Sequence, residues 1–355
     1  MKIVVIIVAT AIIIGGAAAF LVISHNDKED NTLYEIVDAA NNKIKLEKVP
    51  ERIVSLDAVT TEAVCELGLV SNIVGVTSDA GVHDVTNFIY GMNFDIGYPD
   101  QLKAQIANGK TTLVGSYSSW TTDQVMMSNP DLVIIPGTAN NLNKMALLQE
   151  MGITCLVVNN AYNSINVIYE NMMLLGKALG KSDRAEMFVD SMKRVVEHIY
   201  STCKGFEGKD VIVIGCWGTT LYAYNTSHLR HVILREMGCT TKMAGDATGV
   251  VTVENVLEHQ PDVIIIGAVE ASTNISVVKK MFESDPLWGE VKAMKTGQIY
   301  YLEYPCTQAT SYTSPHIVHG IALMATIVFD EIGIDVPQLV EGEKYLDYIS
   351  WIDKK

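Results

Sequence analysis

Short, wholly aliphatic runs recur along the chain at 132–135, 155–158, 211–214 and 263–266. Such runs read as strands buried on both faces of a parallel sheet, and the stretches between them repeat their apolar positions with helical spacing. Helices are predicted at 142–151, 165–179, 183–203, 228–237, 253–259, 277–282 and 315–329. Two segments, 121–135 and 252–266, carry one pattern: Thr-x-acid-x-Val-x-x-x-x-Pro-Asp followed by an aliphatic strand. Thr121, Asp123, Val125, Pro130 and Asp131 in the first correspond at constant offset to Thr252, Glu254, Val256, Pro261 and Asp262 in the second. Each copy predicts a threonine-capped short helix, a stop at proline and a buried strand. Two lobes of similar build follow.

Upstream, alternation over 34–46 with Asn41-Asn42 at its centre predicts a hairpin. A strand at 52–56, a helix at 60–67 closed by Gly68 and a strand at 73–76 predict a β-α-β unit. In such units ligands meet the carboxyl ends of the strands, here Asp57 and Asp79 with their neighbours. Residues 79–119 lose periodicity apart from a short helix at 101–108. Ser182 is the expected cap of the long helix 183–203, whose Ala185, Phe188, Val189, Met192, Val195, Val196 and Ile199 share one stripe. At 1.5 Å per residue this helix is about 30 Å long, enough to cross between lobes. The predicted organisation is an anchor or signal at 1–24, a linker at 25–33, an N-terminal α/β lobe at 34–181, a bridging helix at 182–204 and a C-terminal α/β lobe at 205–355.

Residues 3–23 are 21 positions without a charge, close to the ~20 that cross a bilayer. Ala17, Ala18 and Ala19 offer small residues for cleavage, but Phe20 to Ile23 continue the apolar run, which favours an uncleaved transmembrane anchor. Lys2 alone precedes it, and the positive-inside tendency then puts the folded part outside the cell. The net charge of -15 argues against nucleic acid or an anionic lipid surface as partner. The six cysteines show no C-x-x-C spacing and several sit in apolar runs, where buried thiols are expected. Phosphate-loop, nucleophile-elbow and His-Glu-x-x-His motifs are absent from the sequence, so no enzyme class is indicated.

With Thr121 and Thr252 as caps, Asp123 and Glu254 fall in first helical turns, where free N–H groups favour carboxylates. Two readings are open. They are helix-start acids only, or a matched pair of acidic contact points, one per lobe.

The segments Asp38…Ile44…Pro50-x-Arg52-Ile53-Val54-Ser55-Leu56, Thr61-Glu62-Ala63…Leu67-Gly68-Leu69…Val74-Gly75-Val76, the Pro-Asp repeat and Leu174-Leu175-Gly176-Lys177 together resemble the substrate-binding proteins of ABC importers for iron complexes and cobalamin. The resemblance covers about residues 34–329. It implies an α/β fold of two Rossmann-like lobes bridged by one long α-helix, with a ligand held between them. It also implies docking of one acid per lobe, Asp123 and Glu254, onto arginines of the membrane permease, the partner being the complex of permease and ATPase. Where glutamate is usual in the first lobe, this chain has the shorter Asp123.

A bulky chelate needs aromatic walls, and Tyr117, Trp120, Trp217, Tyr222, Tyr224, Tyr304 and Tyr312 lie at predicted strand ends. The resemblance implies a ligand-stacking role for Tyr117, before the docking helix, and a cleft position for Trp217, just after a central strand of the second lobe. Of the five arginines, Arg52, Arg184, Arg194, Arg230 and Arg235, only Arg230 is placed for a cleft. A neutral or weakly charged chelate, a corrinoid or hydroxamate-type ferric siderophore, therefore suits the chain better than a strongly anionic one. His228 with His231, and His316 with His319, are spaced i, i+3 and keep direct metal-ion binding, or a haem-adjacent role, as an alternative. A metallocluster enzyme relative is the remaining reading, supported only by Cys216 at a cleft-like position. The expectation is thus a monomeric, membrane-tethered, extracytoplasmic binding protein without catalysis or a cofactor of its own, the iron or cobalt belonging to the ligand.

Overall fold

Strands of the first lobe form where the aliphatic runs predict them. In this computed structural model, which describes residues 34–78, 85–89, 92–96, 100–242, 249–269, 272–302, 304–315 and 317–329, the chain opens with β1 (Tyr34–Val37) and β2 (Lys43–Leu46). They pair antiparallel, and Asn41 turns the chain at a φ of 63°. There follow β3 (Ile53–Ser55), α1 (Ala58–Glu66), β4 (Ile73–Val76), the antiparallel pair β5 (Val85–Ile89) and β6 (Met92–Ile96), and α2 (Asp100–Ala107). Next come β7 (Thr112–Leu113), α3 (Thr122–Met127), β8 (Leu132–Pro136), α4 (Ala139–Glu150), β9 (Cys155–Val158) and α5 (Asn166–Ala178). The sheet order is β7-β4-β3-β8-β9, all parallel. The β5/β6 pair lies in the stretch whose sequence shows no period.

A 22-residue helix, α6 (Ser182–Cys203), leads to β10 (Val211–Trp217), β11 (Thr220–Ala223), α7 (Leu229–Glu236), β12 (Gly249–Val250), α8 (Val253–His259) and β13 (Val263–Ala268). The chain continues through α9 (Ile275–Ser284), α10 (Lys292–Lys295), β14 (Ile299–Leu302), α11 (Tyr304–Ala309) and α12 (Ile317–Val328). The second sheet runs β12-β11-β10-β13-β14; β10, β13 and β14 are parallel, and β11 and β12 fold back antiparallel at one edge. Ser182 is not the cap of α6: Lys181 holds that position without a side-chain hydrogen bond, and Ser182 is the first helical residue.

Both sheets bury both faces, which is why their central strands carry no polar alternation. In β8 and β9, Leu132, Ile134, Leu156 and Val158 join one apolar cluster and Val133, Ile135, Cys155 and Val157 another. In β10 and β13, Val211, Val213, Val263 and Ile265 join that same first cluster, while Ile212, Ile214, Ile264 and Ile266 face a third. The first cluster therefore spans both sheets. Its middle is the stripe of α6, from Ala185 to Cys203, which packs against α5 of the first lobe and α12 of the second. Gly176 lets α5 and α6 approach closely, since a Cβ there would run into the Ala185 methyl.

The repeated segment also has a repeated structural logic. Thr121 and Thr252 cap their helices, accepting from the Gln124 and Asn255 N–H groups. Trp120 and Val251 precede the caps, and Val125 and Val256 follow one turn later; Trp120 and Val125 are buried in one outer cluster and Val251 and Val256 in the other, as hydrophobic staples. Asn129 and Gln260, each before its proline, take left-handed φ values of 47° and 46°. Asp131 then accepts from the Glu51 and Arg52 N–H groups at 3.0 and 2.9 Å, and Asp262 from Asp210 N–H at 2.8 Å. Each aspartate thus pins the chain entering the adjacent strand, β3 or β10.

No helix among the described residues is long and apolar enough to cross a membrane. The 3–23 run, Asp79, His316 and residues 330–355 lie outside those residues.

Candidate functional site

A cavity of about 530 Å³ opens beside the carboxyl end of β10. Its walls come from the β10/β11 hairpin and the chain after it (Trp217, Tyr222 and Tyr224), the α11–α12 region (Thr307, Ser311 and Tyr312) and, from the first lobe, Tyr162 after β9. The two sides meet directly: the Tyr162 and Tyr312 rings are 5.9 Å apart, and Leu229 N–H donates to the Tyr162 carbonyl at 2.8 Å. Trp217 stands at the strand end 61% exposed, a large apolar face left in solvent. Gly215 makes room for the Tyr224 phenol, because a Cβ there would come within 2.6 Å of its hydroxyl.

One guanidinium sits in this aromatic enclosure. Arg230 is 3% exposed; its Nε donates to Thr310 Oγ1 at 3.0 Å and its Nη2 to the Thr307 carbonyl at 2.6 Å. The group lies over the Tyr224 ring, 4.7 Å from its centroid, and the His228 ring packs against Tyr224 at 4.3 Å. The other arginines serve structure where their bonds are described: Arg52 donates to the Asn129 and Ser128 carbonyls, Arg184 to Glu66 and Arg235 to Thr226.

His228 is the N-cap of α7 rather than a helical residue, so it does not share a helix face with His231 in the predicted i, i+3 manner. Its Nδ1 accepts from Arg230 N–H at 3.3 Å and is therefore unprotonated. His231 Nδ1, 2.8 Å from the Asn225 carbonyl, must carry its proton. Burial, then the charge of Arg230, then His231, lowers the His228 pKa to about 3. Burial chiefly lowers that of His231 to about 4, against the hydrogen bond to Asn225. Both are neutral imidazoles at neutral pH. Among the described residues no group of three or more His, Cys, Asp or Glu side chains could hold a metal ion. Cys216 is buried with its Sγ 3.3 Å from the Gly267 carbonyl, and burial pushes its thiol up to about 11.

On the first-lobe side Asn160 joins two phenols, donating to Tyr117 Oη at 3.2 Å and accepting from Tyr162 at 3.3 Å. Burial raises both tyrosine pKa values, and the Asp57 carboxylate adds to the effect, so the phenols remain hydrogen-bonding groups. Asp57 itself is buried as the N-cap of α1, its Oδ1 accepting from Thr60 N–H at 2.6 Å.

Of the residues singled out in the sequence, Trp217, Tyr222, Tyr224 and Tyr312 line the cavity. Tyr117 is reached through Asn160, and Tyr304, at the start of α11, packs against the outer cluster of the second lobe. Trp120 does not belong to the site. It is 1% exposed in the first lobe's outer cluster, its Nε1 donates to Asn141 Oδ1 at 3.0 Å, and Lys144 covers its ring. The physical reason is its staple position before Thr121. Tyr162, His228, Thr307 and Ser311 are additional lining residues. Tyr162 carries the strand-end signal, following β9 as Asp57 follows β3; the hydroxyl residues carry none.

Asp123 and Glu254 are both exposed in the first turns of α3 and α8. Glu254 is held below the usual carboxylate range by its own backbone N–H and then by Thr252.

A family model described as periplasmic binding protein matches residues 53–305, well over half of the chain. Among curated relatives, the chain is 26% identical over 303 residues to the uncharacterized ABC transporter substrate-binding lipoprotein YvrC of Bacillus subtilis (strain 168), covering 83% of this chain and 85% of the relative. Among solved structures it is similar to the siderophore-binding protein BauB bound to two acinetobactin molecules and ferric iron, with a TM-score of 0.66, 16% identity and coverage of 85% and 100% of the two chains. It is also similar to the apo form of the periplasmic heme-binding protein RhuT from Roseiflexus sp. RS-1, with a TM-score of 0.61, 17% identity and coverage of 79% and 99%. At these identities the two structures speak for the fold alone, whereas the extent of the family match decides membership: the chain belongs to the periplasmic binding protein family.

Proposed function

We propose that this protein is the extracytoplasmic substrate-binding protein of an ABC importer and carries a metal chelate of low charge in the cavity beside β10. The supporting observation is the cavity itself: about 530 Å³, walled by aromatic rings, with one buried guanidinium. That volume and lining fit a large, partly apolar small molecule whose polar groups are few. A tricatecholate siderophore would bring several negative charges to a site holding a single arginine. The lobes 34–181 and 205–355 around the helix 182–204 are part of this reading, as are a monomeric state and a tether formed by the apolar run 3–23. The protein performs no chemistry on its cargo.

The identity of the chelate is tested by a thermal-shift screen against cobalamin, cobinamide, haem and several ferric siderophores. A binder present at 100 times its dissociation constant adds about 2.7 kcal/mol of stability. A ferric hydroxamate or corrinoid is the expected hit; tight binding of a ferric tricatecholate, or silence across the panel, refutes the ligand class. Haem is the second reading, favoured by the exposed Trp217 face as a stacking surface and by the likeness to a heme-binding structure.

Asp123 and Glu254 dock the loaded protein onto permease arginines, giving orientation more than affinity. The double variant Asp123→Arg with Glu254→Arg is expected to lose transporter-dependent uptake and keep its ligand affinity. Uptake at the wild-type rate removes the docking role.

A further inference from the structure

The chain contains two Asn-x-Ser/Thr triplets, Asn225-Thr226-Ser227 and Asn274-Ile275-Ser276, both in the second lobe. Such a triplet is the acceptor pattern for N-linked sugar, but three residues alone decide nothing: the asparagine must also lie on the surface with its amide nitrogen free. The fold presents the two triplets differently. Asn225 is half-buried and engaged. Its Oδ1 accepts from the Ser227 hydroxyl at 2.9 Å, its carbonyl accepts from His228 N–H at 3.1 Å and from His231 Nδ1 at 2.8 Å, and the Thr226 carbonyl accepts from Arg235 Nη2 at 2.7 Å. The first triplet is thus folded into the start of α7, directly after Tyr224 of the cavity wall.

Asn274 and Ser276 are both exposed. Asn274 is the N-cap of α9, and the cap uses only Oδ1, which accepts from Ser276 N–H at 3.0 Å. An asparagine amide has its acceptor at one end and its donors at the other. Among the described residues Nδ2 has no partner, nor has the Ser276 hydroxyl. The oxygen that holds the helix and the nitrogen that would carry a sugar are different atoms, so modification leaves the cap intact. Thr273 fixes the site from behind: it is buried, and its Oγ1 accepts from Gly218 N–H at 3.1 Å and donates to the Cys216 carbonyl at 3.4 Å. Those bonds tie Asn274 to the turn that carries Trp217.

Resting on the reading of this protein as extracytoplasmic, we propose that Asn274 is an N-glycosylation site, taking an oligosaccharide from a lipid-phosphate-linked donor on the outer face of the membrane, and that Asn225 is left bare. The new bond joins Asn274 Nδ2 to C1 of the first sugar; the bond from C1 to the donor's phosphate oxygen breaks, the lipid phosphate departs, and the amide releases one proton. The glycan then stands at the rim of the cavity and gives the exposed indole of Trp217 a hydrated neighbour.

Trypsin places the triplets on separate peptides, 210–230 and 243–279, so mass spectrometry of the full chain, purified from membranes of the cells that make it, reads each one alone. The expected result is a mass increment with sugar fragment ions on 243–279, localised to Asn274, and an unmodified 210–230. Ser276→Ala keeps the capping asparagine and should abolish the increment. A bare Asn274, sugar on Asn225, or an increment that survives Ser276→Ala overturns the proposal. A membrane-impermeant amine reagent applied to intact cells separates this failure from that of the location, because Lys279 and Lys280 are exposed on the same helix. Labelled lysines with a bare Asn274 refute the modification and leave the extracytoplasmic reading standing; unlabelled lysines with a bare Asn274 refute both.

Discussion

Lowering the pH from 7 to 5 is expected to destabilise this protein through two histidines at the mouth of α7. His231 is 1% exposed and His228 is largely buried as the cap, and their native pKa values are about 4 and about 3 against 6.5 for the free side chain. Between pH 6.5 and those native values the unfolded chain binds a proton that the folded chain refuses. Stability is therefore complete above about pH 7, falls as pH drops through 6.5, and is fully lost to these groups only below the native values. The slope is about 1.4 kcal/mol per pH unit for each group, so each costs about 2 kcal/mol at pH 5 and the pair about 4. Urea unfolding at pH 7, 6 and 5 measures this directly, and the window stops above the range where carboxylates titrate. His231→Gln should remove about half of the pH dependence, with a constant offset for its lost contacts. A pH-independent midpoint in the wild type, or an unchanged slope in both His228→Gln and His231→Gln, would refute buried neutral imidazoles as the cause.

Other expected outcomes follow from the repeat and the cavity. Asp131→Ala and Asp262→Ala should each cost about 1–3 kcal/mol in urea unfolding by orphaning backbone N–H groups, and the double variant should be additive because the sites sit in separate sheets. Trp120→Ala should destabilise by about 3–5 kcal/mol, while Trp217→Ala should leave the unfolding midpoint nearly unmoved and weaken ligand binding; equal stability losses would contradict their assignment to core and cavity. Gly215→Ala should displace the Tyr224 phenol and cost about 1–3 kcal/mol, with a matching fall in affinity for whichever chelate the screen identifies. Cys65, Cys155, Cys203, Cys216 and Cys239 are buried, so a thiol reagent at pH 8 should label them only on unfolding.

Much of the architecture was readable because the governing physics is local or periodic. The strands β8, β9, β10 and β13 announce themselves as uninterrupted aliphatic runs, and Thr252 and Pro261 bracket α8 from both ends. The β5/β6 and β11 pairings left no such trace, since they depend on which backbone groups meet across a turn. The site was half visible for a related reason. Aromatic residues at strand ends can face a cleft or a core, and only the surroundings decide; Trp217 ended in solvent and Trp120 under α4. The repeat did hold the answer for Trp120, since its counterpart at the same offset, Val251, is an ordinary buried aliphatic. Arg230 was legible as a candidate cation, but its isolation from any described carboxylate is a property of three-dimensional packing.

The apolar seam that runs through α6 into both sheets makes the molecule a single cooperative body instead of a pair of hinged shells. Each half keeps an outer cluster of its own, but the largest interior is shared between them, so heat or denaturant should dissolve both in one transition. The same continuity makes a wide-swinging clamp an expensive motion, and cargo capture then relies on side chains that rearrange at the rim.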